Sequence, residues 1–425
     1  MKSVRLPAAP AAVGTTRIVG ATVIDGTGAQ PRPDTDVEFA DGVITYVGPA
    51  RPAAASADLV IDARGGFLLP GFVDTHVHLT MPNGASDEEL RLMFAEEHAF
   101  ATADMMRITV EAGVTAARDL SGMTPGYRNA VASGSIVGPR MHMSIALLSP
   151  TGGHADPVRA NGSVPHYTEY EQIPSWAVVD TDSDVLKAVR SLVRTGADVI
   201  KICTTGGISP PQDSPDDLGI TEDQVRLIVA VLGRRQGQPV AAHAQGHEGA
   251  LQAVRGGVAS LEHGYDLSEE LIALMLSSGT VLVPTLSTLH MTPNPQTKPA
   301  AVVAKKLAWQ VRGKDAAANA IAAGVPIALG TDAGIHPHGH NLAELGHLVD
   351  AGMAPLAAIT AGTLTGASLM GLETHLGSIE VGKLADVVLT RVDPVASIHS
   401  LADPEAVRLV TMSGRVAKDP DRLAS

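Results

Sequence analysis

Two histidines one residue apart, His76 and His78, close an apolar run, FVDTHVHL (72–79). Residues i and i+2 of a strand point the same way, so this pair can grip one ion together. Four more groups able to bind metal or move protons recur at the ends of other apolar runs. They are Lys201 in DVIKIC (198–203), His243 in VAAHA (240–244), His263 in SLEHG (260–264) and Asp332 in PIALGTDA (326–333). Imidazole and carboxylate donors suit zinc, with positions left open for water. Lys201 is the odd member, because an ordinary lysine is protonated near neutral pH and repels a cation. Carboxylation of its amine by CO₂ makes a carbamate whose two oxygens can bridge two ions roughly 3.5–4 Å apart. A lysine merely ion-paired in a polar mouth is the plainer alternative.

The elements that must position these groups alternate short apolar strands with longer Ala- and Leu-rich helical segments, the pattern of parallel βα units. Adding GVTAARDL (113–120), RMHMSIA (140–146) and VLVPTL (281–286) gives eight strands. The expectation is therefore an α/β fold, a (β/α)₈ TIM barrel, whose C-terminal strand ends share one face where active sites are built. The polar, Pro- and Gly-rich stretch 147–183 reads as an active-site loop after strand 3. Both chain ends read differently, as β-branched runs broken by turn signals such as Asp-Gly and Ser-Gly. Residues 1–67 together with 376–425 are expected to form a composite β-sandwich, around a barrel of 68–375.

Composition narrows the function. Among 425 residues, 31 Lys and Arg face 45 Asp and Glu, a net charge of −14. That balance argues against nucleic-acid or anionic-membrane binding, both of which need positive potential. One cysteine, Cys203, excludes an internal disulfide framework and a cysteine-built metal site. The 16 histidines must then supply many of any metal's ligands. No run approaches the roughly 18 apolar residues of a membrane span. The N-terminus, MKSVRLPAAPAAVG, lacks a continuous apolar h-region. A cytoplasmic location is the default expectation, with a leader removed before this sequence begins as the alternative.

Taken together, FLLPGFVDTHVHL, VIKICTTGG, VAAHAQG, SLEHG, ALGTDAG and the C-terminal GSIEVGKLADVV resemble the metal-dependent amidohydrolase superfamily. The chain looks most similar to the branch of imidazolonepropionase-like hydrolases, Xaa-Pro and Xaa-Arg/Lys dipeptidases and ochratoxin-degrading amidohydrolases. The resemblance implies two divalent ions, zinc for preference, with His76 and His78 on the more buried one and His243 and His263 on the other. It implies a carboxylated Lys201 bridging them, and Asp332 as both ligand and proton acceptor. Hydroxide held between the metals would attack an amide carbonyl, and His154, in TGGHAD, would stabilise the oxyanion. The implied substrate is a dipeptide or N-acyl amino acid, including ochratoxin A, and relatives of this kind form homo-oligomers, up to octamers. A lactonase or esterase, a deaminase and a metal-free scaffold are the alternatives.

Other residues carry weaker signals. His290, Tyr167 and His166 are placed to meet substrate, each against a solvated loop position. Arg128, Arg140 and Arg159 are possible anchors for a substrate carboxylate. His336, His338 and His340 form a His-rich tract, read as shaping the strand-8 loop rather than as another metal site. His247, at i+4 from His243, is expected on the next helix, and Cys203 is read as packed rather than nucleophilic.

Overall fold

The computed structural model describes residues 5–51, 57–85, 87–158, 161–163, 176–209, 213–293, 295–296 and 300–424. Five strands come first: β1 (Thr15–Val23), β2 (Arg32–Ala40), β3 (Val43–Pro49), β4 (Leu59–Asp62) and β5 (Phe67–Pro70). Nine parallel-type strands follow: β6 (Phe72–Val77), β7 (Val114–Asp119), β8 (Arg140–Met143), β9 (Leu147–Ser149), β10 (Trp176–Val178), β11 (Ile200–Cys203), β12 (Val240–Ala244), β13 (Ser260–His263) and β14 (Val281–Val283). The last three are β15 (Val387–Thr390), β16 (Val407–Met412) and β17 (Arg415–Lys418).

Strands from the two ends share one sheet, in the order β17-β16-β15-β5-β1-β2-β3, with β4 also paired to β1. The seam is the antiparallel ladder of β15 on β5, where Val388 faces Leu69. This is the β unit expected from the two β-rich ends, hydrogen-bonded as one branched sheet. It has its own core, including Ile18, Val37, Phe39, Ile61 and Leu389.

The barrel is laid down by the parallel ladders β6-β7-β8 and β9-β11-β12-β13-β14. Capping boxes start its helices where the sequence supplies them. Thr181 and Asp184 cap Asp182–Thr195, which ends at the left-handed Gly196; Thr221 and Gln224 cap Glu222–Gly233. Val185, Val189 and Leu192 are the buried face of the first, so caps and apolar spacing select the same helix.

Two strands depart from expectation. Strand 3 is split. Ile145 takes a left-handed φ of 70°, so β8 bonds β7 while β9 bonds β11. The segment read as a loop over 147–183 therefore contains β9 and β10, which pair with each other, and the start of a helix. Strand 8 is not a regular strand. Residues 326–333 close the barrel through bridges Leu282↔Ile327 and Val77↔Ala333. The closure is fastened by Asp332 N donating to His76 O at 2.8 Å and His78 N to Ala333 O at 2.7 Å. The left-handed Asp332, φ 56°, breaks the pleat that a strand would need. Among the described residues no helix is long and apolar enough to cross a membrane.

Candidate metal centre

The strand ends converge as the spacing requires. His76, His78 and Asp332 each bring one ligand atom within 4.8 Å of the others. The rings of His76 and His263 are 5.1 Å apart, those of His263 and His243 4.6 Å, and His154 stacks on His243 at 4.0 Å. Lys201 is buried among them, and its Nζ has no hydrogen-bond partner among the described residues.

Each histidine commits one ring nitrogen away from the centre. His76 Nδ1 meets Glu262 Oε2 at 2.8 Å. His78 Nδ1 meets Ser121 Oγ at 3.0 Å, and His263 Nδ1 meets Thr285 Oγ1 at 2.8 Å. On His243 the committed atom is Nε2, 3.1 Å from Gly206 O. The remaining nitrogen of His76, His243 and His263 is thereby kept as a lone pair for a metal, while that of His78 faces Asp332 Oδ1 at 3.2 Å. Burial holds His76, His243 and His263 well below the ordinary imidazole range, so these rings are neutral and ready to ligate. Burial likewise pushes the Lys201 amine down to about 8, which brings the free base needed for carbamate formation within reach. Burial alone would raise the Asp332 carboxyl, but the hydrogen bond from His78 and the charges of His78 and Lys201 beside it hold it below its usual value. The donor set fits divalent metal: imidazoles, a carboxylate, and a buried amine with no hydrogen-bond partner among the described residues.

Several residues that support this centre carry no signal in local spacing. Glu262, fully buried, also accepts from Arg118 at 2.8 Å, forming a chain Arg118–Glu262–His76 beneath the site. Asp213 accepts from His154 Nδ1 at 3.0 Å and from Gly207 N at 2.9 Å. Asp74 accepts from Thr331 Oγ1 at 2.7 Å and Asn341 Nδ2 at 2.8 Å, tying β6 to the eighth stave. A charged residue inside an apolar strand, as in SLEHG and GVTAARDL, is the one signal that could have found Glu262 and Arg118.

The other expectations resolve individually. His290 ends the helix Leu286–His290 and packs on His347 at 4.2 Å. His338 pins two loops through Met81 O at 3.1 Å and Asn83. With His336 and His340 it forms no ligand group among the described residues. His247 opens a helix while His243 lies on β12, so they make no helical pair. Burial pushes the Cys203 thiol up to about 12, which leaves it inert. Arg140 is bound to Asp386 and Arg128 to Asp198, so neither serves as an anchor at the barrel mouth. Tyr167, His166 and Arg159 lie outside the described residues.

Comparison with known proteins agrees with this geometry. Residues 67–417 match the model of the amidohydrolase family. The chain is 31% identical to the ochratoxinase of Aspergillus niger, covering 95% of this chain and 87% of that one. It superimposes on a Xaa-Pro dipeptidase with bound methionine in its active site at a TM-score of 0.85 and 30% identity, covering 95% of this chain and 99% of the other. A prolidase complexed with N-methylphosphonate-L-proline gives a TM-score of 0.87 at 29% identity, covering 95% and 100%. A chain with this barrel, this His-His-Asp group and these relatives belongs to the amidohydrolase family and is a hydrolase acting on amide bonds.

Proposed function

We propose that the protein is a binuclear hydrolase that releases an amino acid from a dipeptide or N-acyl amino acid, with ochratoxin A among the candidate substrates. The observation that carries this reading is Lys201: a buried amine without a hydrogen-bond partner among the described residues, ringed by histidines whose second nitrogens are already committed. His76, His78, His243, His263, Asp332 and a carboxylated Lys201 would hold the two ions, zinc by the chemistry of the donors. When bound, the ions supply Lewis acidity, acidifying water and polarising the amide carbonyl.

The chain's own groups supply the remainder. Asp332 is kept ionised, so its carboxylate takes the proton of the attacking water and delivers it to the leaving nitrogen. Asp213 fixes the His154 ring through Nδ1, which leaves Nε2 to face the carbonyl oxygen and, in the protonated ring, donate to it. Stacking on His243 holds that ring in plane beside the centre. The exposed Leu92, Phe94 and Phe100 support homo-oligomerisation.

The decisive experiment pairs metal analysis with a panel of dipeptides and N-acyl amino acids, scoring released amino acid. About two zinc ions per chain and amide turnover are expected, with a ¹³C carbamate signal after labelling with bicarbonate. A metal-loaded protein inactive on the whole panel would overturn the reading.

A further inference from the structure

The helix Ala300–Ala323 starts at the barrel mouth, and two consecutive lysines in it reach to opposite walls. Lys305 donates from Nζ to Gly207 O at 3.2 Å and Asp213 O at 2.7 Å, on the wall that carries His154 and His243. Lys306 donates to Thr288 O at 2.8 Å on the wall beyond β14. Thr288 in turn donates its hydroxyl to Thr331 O at 2.9 Å, so Lys306 stands one layer of contacts from Asp332.

What sets Lys306 apart is the lack of a counter-charge. It is half-buried, and among the described residues no carboxylate lies within salt-bridge distance of it. Among the described residues the charge that acts on it is Asp332, which the proposed metals would neutralise. A second atom on this wall is also unmatched: His290 Nδ1 is buried without a hydrogen-bond partner, and its ring feels the Lys306 charge. A half-buried ammonium with no carboxylate facing it, near an imidazole nitrogen without a partner among the described residues, is favourably completed by a ligand's negative charge.

The geometry points to Lys306, with His290 beside it, as the anchor for a carboxylate carried by the leaving half of the substrate. The orientation follows from Asp332, since the group that protonates the leaving nitrogen lies on the same side as the cation. The inference rests on the amide-hydrolase reading and deepens it by naming the residue that would hold the carboxylate of the released amino acid. Burial, which pushes the Lys306 amine down to about 8, gives such a carboxylate additional effect by restoring the full charge.

The test uses two amides differing only in that group, N-acetyl-L-phenylalanine and N-acetylphenethylamine, with the zinc-loaded protein. The wild type should prefer the acid at least about 100-fold in kcat/KM. Lys306→Met should lower kcat/KM on the acid by about 30-fold, mostly through KM, and leave the neutral amide within twofold; this is the scale of a lost charge-assisted hydrogen bond. Lys306→Arg should retain most of the preference. Equal losses on both substrates, or none, would overturn the assignment. Calorimetric binding of L-phenylalanine provides a readout separate from turnover, and Lys306→Met should weaken it about 30-fold. If the wild type cleaves neither amide, the hydrolase reading fails for this substrate class, while the binding measurement still decides the role of Lys306.

Discussion

At the scale of single residues, the proposed metal centre depends on which ring nitrogen each histidine offers. Glu262 makes that choice for His76 while Arg118 holds Glu262, and all three are buried. Glu262→Gln keeps the shape but lets the amide present either end to the ring. Metal affinity, measured by competition with a chelator, should fall about 10- to 100-fold; an unchanged affinity would show that the ring needs no such partner. Asp332 admits a cleaner test of chemistry. Its φ of 56° is a region that Asn tolerates almost as readily as Asp, so Asp332→Asn leaves the backbone undisturbed. Turnover should drop at least about 10²-fold with metal largely retained, because the amide cannot accept the proton. Full turnover in that variant would remove the carboxylate from the proton path.

At the scale of elements, the barrel presents its chemistry by breaking its own strands. His263, Thr285 and Asp332 all have positive φ where β13, β14 and the eighth stave end, at 73°, 48° and 56°. Each such turn costs of order 1 kcal/mol and has to be held from outside. Glu344 is one holder, accepting from Leu286 N at 2.8 Å and from Ser287 N at 2.6 Å, just beyond Thr285. Burial pushes its carboxyl up from 4.5 to about 7. Across that window the folded carboxyl keeps a proton that the unfolded chain has released, so stability falls as pH rises. The contribution is about 2 kcal/mol between pH 5 and 7.5. Glu344→Gln should remove it from the difference in urea-unfolding free energy between those two pH values. An undiminished difference would assign the pH dependence to other buried carboxyls. These elements also show where the sequence is readable. The clustering of His76, His78, Lys201, His243 and His263 was legible because each ends an apolar run of strand length, and strand ends share a face. Arg118 and Glu262 meet across 144 residues, and no local pattern announces that pairing. Lys306 reads as an ordinary solvated helix lysine until the helix is placed over the mouth. The splits at Ile145 and Asp332 were hidden because no side chain there advertises a left-handed turn.

At the scale of the whole molecule, the barrel and the terminal sheet are joined through a buried ion pair. Arg140, on β8, donates from Nε to Asp386 Oδ2 at 2.9 Å and from Nη1 to Pro7 O at 2.8 Å. Both side chains of the pair are almost fully buried. Arg140→Met should destabilise the protein by about 3–5 kcal/mol, since Asp386 is left charged and unmatched. Chemical denaturation should show the loss, and a loss below 1 kcal/mol would mean that the junction is carried by packing alone. The ladder of β15 on β5 has a different consequence, one of timing. As the chain emerges from the ribosome, β5 is made more than three hundred residues before its partner. Every residue proposed to hold metal is synthesised in that interval. The nascent protein can therefore assemble its centre while β5 still offers an unpaired apolar edge, and such an edge recruits other chains. Chains stalled or cleaved before β15 should be the ones that aggregate, although they already carry every residue proposed for the chemistry.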